Sequence, residues 1–369
     1  LISKQLTNIF FKDFHVSSSL NKEPISNNFY VALHKDGSLK LLFPCSNNVH
    51  LLDYLSPTRR FSKIILFLLK LSYRLKILSY FLNIKVISID GLNNINWSKY
   101  AWNQKIPPNI FLIMGTIKDT QNAVIFLDSK SYPERSLVLK VCINKICNLK
   151  NEYFTGRSIS MNTTEYVAFN EEEKFLCQKY KKGYRTINEL NNYHIDYLSK
   201  LISDSDSVQG SDIKSKLTVM VKPLAHYDRY NKLLIDAAIN SIDSKSYFYK
   251  ASIHGDFAPY NIIYESSVEN FSLIDWEQSS LNGLAAMDLF NYTFIRDCLF
   301  RNQGSKKLED FIFKKAQRYF LNVGHCLKKE EFKDYKTIFL VSEFVNRLKD
   351  AGIEDVYVKY LYEIIKNEY

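Results

Sequence analysis

Apolar and polar positions follow two regimes along this chain, a strand-like one in its first half and a helical one in its second. Residues 29–43, FYVALHKDGSLKLLF, place two apolar runs around Lys35-Asp36-Gly37-Ser38, and Asp-Gly favours a tight turn, so a β-hairpin is predicted there. Pro57 opens a helical stretch over roughly 58–83. At 100° per residue, Arg59, Arg60, Lys63, Lys70 and Arg74 fall in one sector of it, and Leu, Ile, Phe and Tyr fill the rest. Its uncharged run from Ile64 to Leu69 is far short of the ~20 apolar residues that span a bilayer. Two readings stay open for this helix: it docks on the main domain with a solvated basic edge, which is the preferred reading, or it lies on an anionic membrane.

Beyond Pro107-Pro108, apolar runs at 110–114, 123–127 and 137–143 alternate with short polar loops and predict three antiparallel strands. Helices are expected at 163–180 and 189–202, a Ser- and Asp-rich surface loop at 203–216, and a strand at 217–221. Helical periodicity dominates after that, broken by short strands near 262–264 and 271–274. A β-rich half followed by an α-rich half predicts a two-lobed α+β fold. The boundaries fall at 1–105 for an N-terminal accessory element (hairpin plus basic helix), 106–222 for the β-rich part, and 223–369 for the helical part.

Composition narrows this picture only a little. At 369 residues the chain has room for about two domains, and 46% hydrophobic with 24% charged residues suits an ordinary core. The 25 Tyr and 25 Phe read as a compositional bias. A net charge of +10 fits nucleic acid, an anionic membrane or phosphorylated substrates. The basic residues are scattered and form no zinc-finger or RNP-like pattern, which disfavours nucleic acid. The cysteines at 45, 142, 147, 177, 298 and 326 make no C-x-x-C pair, and no signal peptide is apparent, so a reducing cytoplasm is expected.

The segment richest in chemistry is His254-Gly255-Asp256-Phe257-Ala258-Pro259-Tyr260-Asn261, followed by Leu273-Ile274-Asp275-Trp276-Glu277. Phosphoryl transfer needs a carboxylate for the attacking hydroxyl and oxygen ligands for Mg2+ on the nucleotide phosphates. Asp256 and Asn261, five apart in one loop, can serve the nucleophile and the metal. The apolar runs between Asn261 and Asp275 have the length of a short hairpin that brings a second carboxylate back.

H-x-D-x-x-x-x-N is the spacing of a kinase catalytic loop, and Asp275 stands where the D-F-G Asp belongs, here as D-W-E. With these residues the chain resembles the aminoglycoside phosphotransferase/choline kinase-like family of the protein-kinase-like fold. H-G-D-F-A-P-Y-N looks especially like members found among glycan-assembly proteins. The resemblance covers roughly 106–300 and implies ATP and Mg2+ as cofactors. It implies that His254 braces the loop, that Asp256 is the catalytic carboxylate, and that Asn261 and Asp275 hold the metal. Leu137-Val138-Leu139-Lys140 is comparable to V-A-I-K, which makes Lys140 the phosphate-binding lysine of a nucleotide-binding small lobe over 106–222. Its carboxylate partner is expected on the next helix at Glu171, with Glu172 and Glu173 as neighbouring registers. Gly115 opens the expected phosphate-covering loop, without the second and third glycines of protein kinases. By position, Val221 and Leu224 would flank an adenine-binding hinge. Asp288 matches a helix-borne acid that holds the catalytic-loop backbone, or is a simple helix-end acid.

The acceptor is expected to be small. Protein kinases carry a Lys two residues, or an Arg four residues, after the catalytic Asp, and here Ala258 and Tyr260 stand there. No A-P-E follows Asp275, and only twelve residues separate it from Asp288. The expected acceptor is therefore a small hydroxylated molecule or glycan, with a sugar or glycolipid-linked one favoured. The competing expectations are a pseudokinase, acting as a nucleotide-binding scaffold in a glycan-assembly complex, and an aminoglycoside/choline-type kinase.

Overall fold

Leu137–Cys142 is apolar apart from Lys140 and buried at every position, because both faces of its strand are covered. The computed structural model of the chain describes residues 15–17, 28–34, 38–45, 52, 55, 60–75, 84–90, 95–104, 108–114, 122–129, 133–143, 148–159, 161–186, 188–227, 230–301 and 305–369. The chain divides into two compact units, 1–185 with 263–277, and 186–262 with 278–369.

The first unit is built on β1 (His15–Ser17), β2 (Asn28–Leu33), β3 (Leu39–Pro44), β4 (Ile84–Asp90), β5 (Asn109–Met114), β6 (Asn122–Asp128), β7 (Leu137–Cys142), β8 (Tyr166–Asn170) and β9 (Phe175–Lys179). They form one nine-stranded sheet in the order β1-β4-β2-β3-β5-β6-β7-β9-β8, antiparallel throughout. Alternation along each strand sorts the core. Val31, Leu112, Ile125 and Leu139 face a cluster with Trp97, Tyr100 and Trp102. Tyr30, Phe43, Phe111, Phe126 and Val138 face a second cluster, where α1 (Arg60–Arg74) packs through Tyr73, Leu66 and Leu69. Helix α2 (Leu149–Ser158) lies between β7 and β8 in sequence, and a two-stranded sheet of β12 (Ile262–Tyr264) and β13 (Phe271–Leu273) precedes Asp275.

The second unit is mostly helical: α3 (Asn192–Ser199), α4 (Gly210–Met220), α5 (Lys232–Ser241), α6 (Met287–Arg296), α7 (Ser305–Leu321), α8 (Lys329–Ala351) and α9 (Val356–Glu368). A three-stranded sheet, β10 (Ile202–Gln209), β11 (Tyr247–Ile253) and β14 (Ser280–Leu284), is threaded through it with β11 central. Helix α8 buries Tyr335, Phe339 and Leu340 along one stripe and more around its circumference, as a central helix must.

The chain is α+β, with an antiparallel sheet in the first unit and mostly helices in the second. The hairpin at 29–43, the strands near 110–114, 123–127 and 137–143, and the two short strands around 263 and 272 are present. Several expectations are overturned. The first hundred residues add β1–β4 to the same sheet as β5, and the units divide after Arg185 instead of at 105 and 222. The helix expected at 163–180 is the β8–β9 hairpin: its three glutamates occupy the turn, where the Glu173 N–H donates to Asn170 Oδ1. The loop expected at 203–216 and the strand expected at 217–221 are β10 and α4, because Gly210, Ile213 and Leu217 form a buried helical stripe. Strands β11 and β14 lie where helix was expected. Among the described residues, no helix is long and apolar enough to cross a membrane.

Candidate active site

The first unit assembles a lysine among three carboxylates. Lys140 sits on β7 between Val124 of β6 and Leu176 of β9, so strand pairing on both sides fixes its backbone. Its Nζ donates to both carboxylate oxygens of Glu152 on α2, at 2.8 Å each, and to Asp275 Oδ1 at 2.8 Å. Glu152 is fully buried. Burial pushes its pKa up, and the Lys140 charge and the Trp276 N–H pull back against that. Burial disfavours the charged form of Lys140, but Asp275, Glu152 and Glu277 outweigh it and hold the ammonium protonated. Burial, followed by the Asp275 charge, raises Glu277 to about 7; its carboxylate also accepts from Asn122 Nδ2 at 3.2 Å. Asp275 has φ +71, a left-handed backbone that costs a non-glycine residue on the order of 1–3 kcal/mol.

Glu152, Asp275 and Glu277 each offer an oxygen within 4.8 Å of the others. An all-carboxylate set with more negative charge than Lys140 neutralises suits a hard divalent ion such as Mg2+.

The second unit assembles the loop after β11. Asp288, at the start of α6, accepts the backbone N–H of His254 at 2.7 Å and of Gly255 at 3.0 Å. It is wholly buried, which raises it to about 7 although the two N–H bonds pull it down. Gly255 is required twice over: its φ is +82, and a Cβ there would come 2.2 Å from the Gln278 carbonyl oxygen. His254 is buried, and its Nδ1 accepts the Asp256 N–H at 3.3 Å. The Asn261 amide donates to Asp256 Oδ2 at 3.0 Å and to the Asp256 carbonyl at 2.9 Å. Tyr260 Oη donates to Asp256 Oδ1 at 3.1 Å, and Arg347 Nη2 of α8 donates to the same oxygen at 2.9 Å. Arg347 is itself held by Glu343 at 2.6 Å. The Asp256 carboxylate is thus oriented from three sides by donors.

Beside this loop is a cavity of about 330 Å3, large enough for a small ligand, lined by Gly255, Asn291, Ser342, Glu343, Asn346 and Arg347 among others. Asn291 is 2% exposed, and neither polar atom of its side chain has a hydrogen-bond partner among the described residues.

Of the residues singled out in the sequence, the structure brings Lys140 and Asp275 together in the first unit and His254, Asp256 and Asn261 together in the second. Glu171 is an exposed turn residue paired with Lys150 at 3.0 Å, and Lys140 meets Glu152 in its place. Glu173 pairs with Lys99, and neither Glu171 nor Glu173 reaches Lys140. Val221 and Leu224 are buried at and just beyond the end of α4, not on a strand that opens a hinge. Gly115 lies outside the described residues. Glu152, Glu343 and Arg347 were missed.

No protein-family model matches the sequence, and no curated protein does. Among solved structures, the chain is similar to macrolide 2'-phosphotransferase MphH from Brachybacterium faecium, at 11% identity over 68% of this chain and 91% of that one, TM-score 0.45. It is similar to choline kinase LicA from Streptococcus pneumoniae, at 16% identity over 70% and 88%, TM-score 0.41. It is also similar to Plasmodium vivax ethanolamine kinase Pv091845, at 12% identity over 70% and 81%, TM-score 0.43. The chemistry rests on the side chains described above.

Proposed function

We propose that the protein is an ATP-dependent phosphotransferase that moves the γ-phosphoryl group to a hydroxyl of a small molecule or glycan, a sugar or glycolipid-linked acceptor being favoured. The observation that carries this reading is Lys140 held between buried Glu152 and Asp275 on a strand paired on both sides. A buried ammonium kept charged and aimed by two carboxylates is a phosphate anchor, and a packing role would require none of the three. Asp275, with Glu277 and by resemblance Asn261, would hold Mg2+, which when bound neutralises charge on the phosphates. Lys140 grips the α/β-phosphates. Asp256, oriented by Asn261, Tyr260 and Arg347, accepts the acceptor's hydroxyl proton as its oxygen forms the new P–O bond and ADP leaves.

The cavity beside the Asp256 loop supports a hydroxylated acceptor. Its lining joins the amides of Asn291 and Asn346 and the hydroxyl of Ser342 to the charged groups of Glu343, Arg347 and Asp350, so it offers both donors and acceptors to the hydroxyls of a polyol. The cysteines support a reducing cytoplasm: Cys45, Cys142, Cys177, Cys298 and Cys326 are free, and burial pushes Cys45 and Cys177 up to about 12.

One observation favours the scaffold reading: Lys140 touches Asp275 and Arg347 touches Asp256, so both key carboxylates already carry a cation. Mg2+-dependent nucleotide hydrolysis without acceptor, compared between wild type and Asp256→Ala, separates the two readings. The enzyme reading expects hydrolysis that falls in the variant. No hydrolysis in either protein, and no acceptor that gains a phosphate by mass spectrometry, would leave the scaffold.

A further inference from the structure

Helix α1 presents its apolar side to solvent. Ile64, Phe67, Leu68, Leu71 and Leu75, at the helix and its C-terminal edge, are 43–65% exposed. The opposite side holds the helix to the sheet: Tyr73 is 3% exposed and its Oη donates to the Pro44 carbonyl at 2.8 Å, and Leu66 and Leu69 pack beside it. At 100° per residue the exposed apolar residues fill one arc, and Lys63, Lys70 and Arg74 border that arc along one edge. The helix contains no acidic residue. The preferred expectation for it, a docked helix showing only a charged edge, therefore does not hold: the helix is docked, and the greasy arc is the part left outside.

We infer that α1 is a membrane-surface helix that seats this protein on anionic lipid, with the arc from Ile64 to Leu75 entering the acyl boundary and Lys63 and Arg74 meeting lipid phosphates. Charge complementarity selects this occupant. An interface with a second copy would set two wholly basic helices against each other, whereas an anionic bilayer accepts both the apolar arc and its basic border. The convex ridge of a lone helix also enters a soft interface without needing a shaped groove. A lipid-linked acceptor would be presented at such a surface, but the inference stands on α1 alone and is independent of the catalytic reading.

The test is cosedimentation of the full chain with phosphatidylglycerol/phosphatidylcholine vesicles and with phosphatidylcholine alone, at low and high salt. Wild type should bind the anionic vesicles at low salt, and binding should fall at high salt and without phosphatidylglycerol. Phe67→Ser/Leu71→Ser/Leu75→Ser should abolish it, at positions exposed enough for the fold to tolerate. Lys63→Ser/Arg74→Ser, which leaves the apolar arc intact, should weaken binding about fivefold per charge removed. Wild type that ignores anionic vesicles, or an apolar variant that binds as wild type does, would overturn the inference. A wild-type dimer in sedimentation velocity that the apolar variant converts to monomer would overturn it too, by giving the face to a second copy.

Discussion

Lys140 Nζ lies 2.8 Å from each carboxylate oxygen of Glu152, a residue twelve positions later with no exposed surface. The same nitrogen meets Asp275 Oδ1 at 2.8 Å, so one ammonium ties a strand, a helix and the segment after the β12–β13 hairpin together. Removing it leaves Glu152 buried without its counter-charge. Lys140→Met should therefore destabilise the protein by roughly 3 kcal/mol, and Glu152→Gln by less, because Asp275 still pairs with the lysine. Glu171→Gln should change neither stability nor nucleotide affinity, since Glu171 pairs at the surface with Lys150. Urea unfolding of the three variants checks the order. Glu171→Gln as damaging as Glu152→Gln would contradict the pairing.

Asn291 offers a second test, because its unpartnered amide costs stability on the order of 1–3 kcal/mol unless something binds it. Asn291→Leu should leave the apo protein at least as stable as wild type. Once an acceptor is found, the variant should raise the KM for acceptor about tenfold or more while leaving the KM for nucleotide unchanged. A variant that loses stability and keeps its acceptor KM would show that the amide serves packing and not the cavity.

Acid should loosen the floor of the catalytic loop. His194 is fully buried against Phe257 and Tyr292, and burial lowers its pKa from 6.5 to about 3. The folded state therefore holds the neutral ring, and the unfolded chain takes up a proton first. The contribution of His194 to stability is complete above pH 6.5 and is lost as pH falls from there toward 3, by up to ~1.4 kcal/mol per pH unit. His194→Gln should flatten this part of the stability profile between pH 6 and 4.5, measured by denaturant midpoints. An unchanged slope would show that His194 is not the group that titrates.

What was legible in the sequence was local. The H-G-D loop and the Asp after the hairpin stand out because their spacing is fixed by a turn and two short strands, and Lys140 because it is the one charge within an apolar run. Glu152 was hidden because the buried face of α2 is Leu149, Glu152, Thr155 and Gly156, a stripe with one large apolar residue. Glu171–Glu173 looked helical by composition, yet Val167, Ala168 and Phe169 before them and Leu176 and Cys177 after them fill a sheet. Leu217–Val221 looked like a strand by the same propensities, until packing of Ile213 and Leu217 made it helix. Arg347 reaches Asp256 from 91 residues away, and no local pattern announces such a contact.

The division of labour between Asp275 and Asp256 is the centre of this account, and calorimetry of Mg2+-nucleotide binding tests it most directly. The carboxylate that sits with Glu277 and Lys140 should govern binding, and the one oriented by Asn261 and Arg347 should govern transfer. Asp275→Asn is predicted to lose the Mg2+-dependent part of nucleotide affinity, and Asp256→Asn to bind as wild type does while losing turnover. Equal Mg2+-nucleotide affinity in wild type and Asp275→Asn would contradict the account.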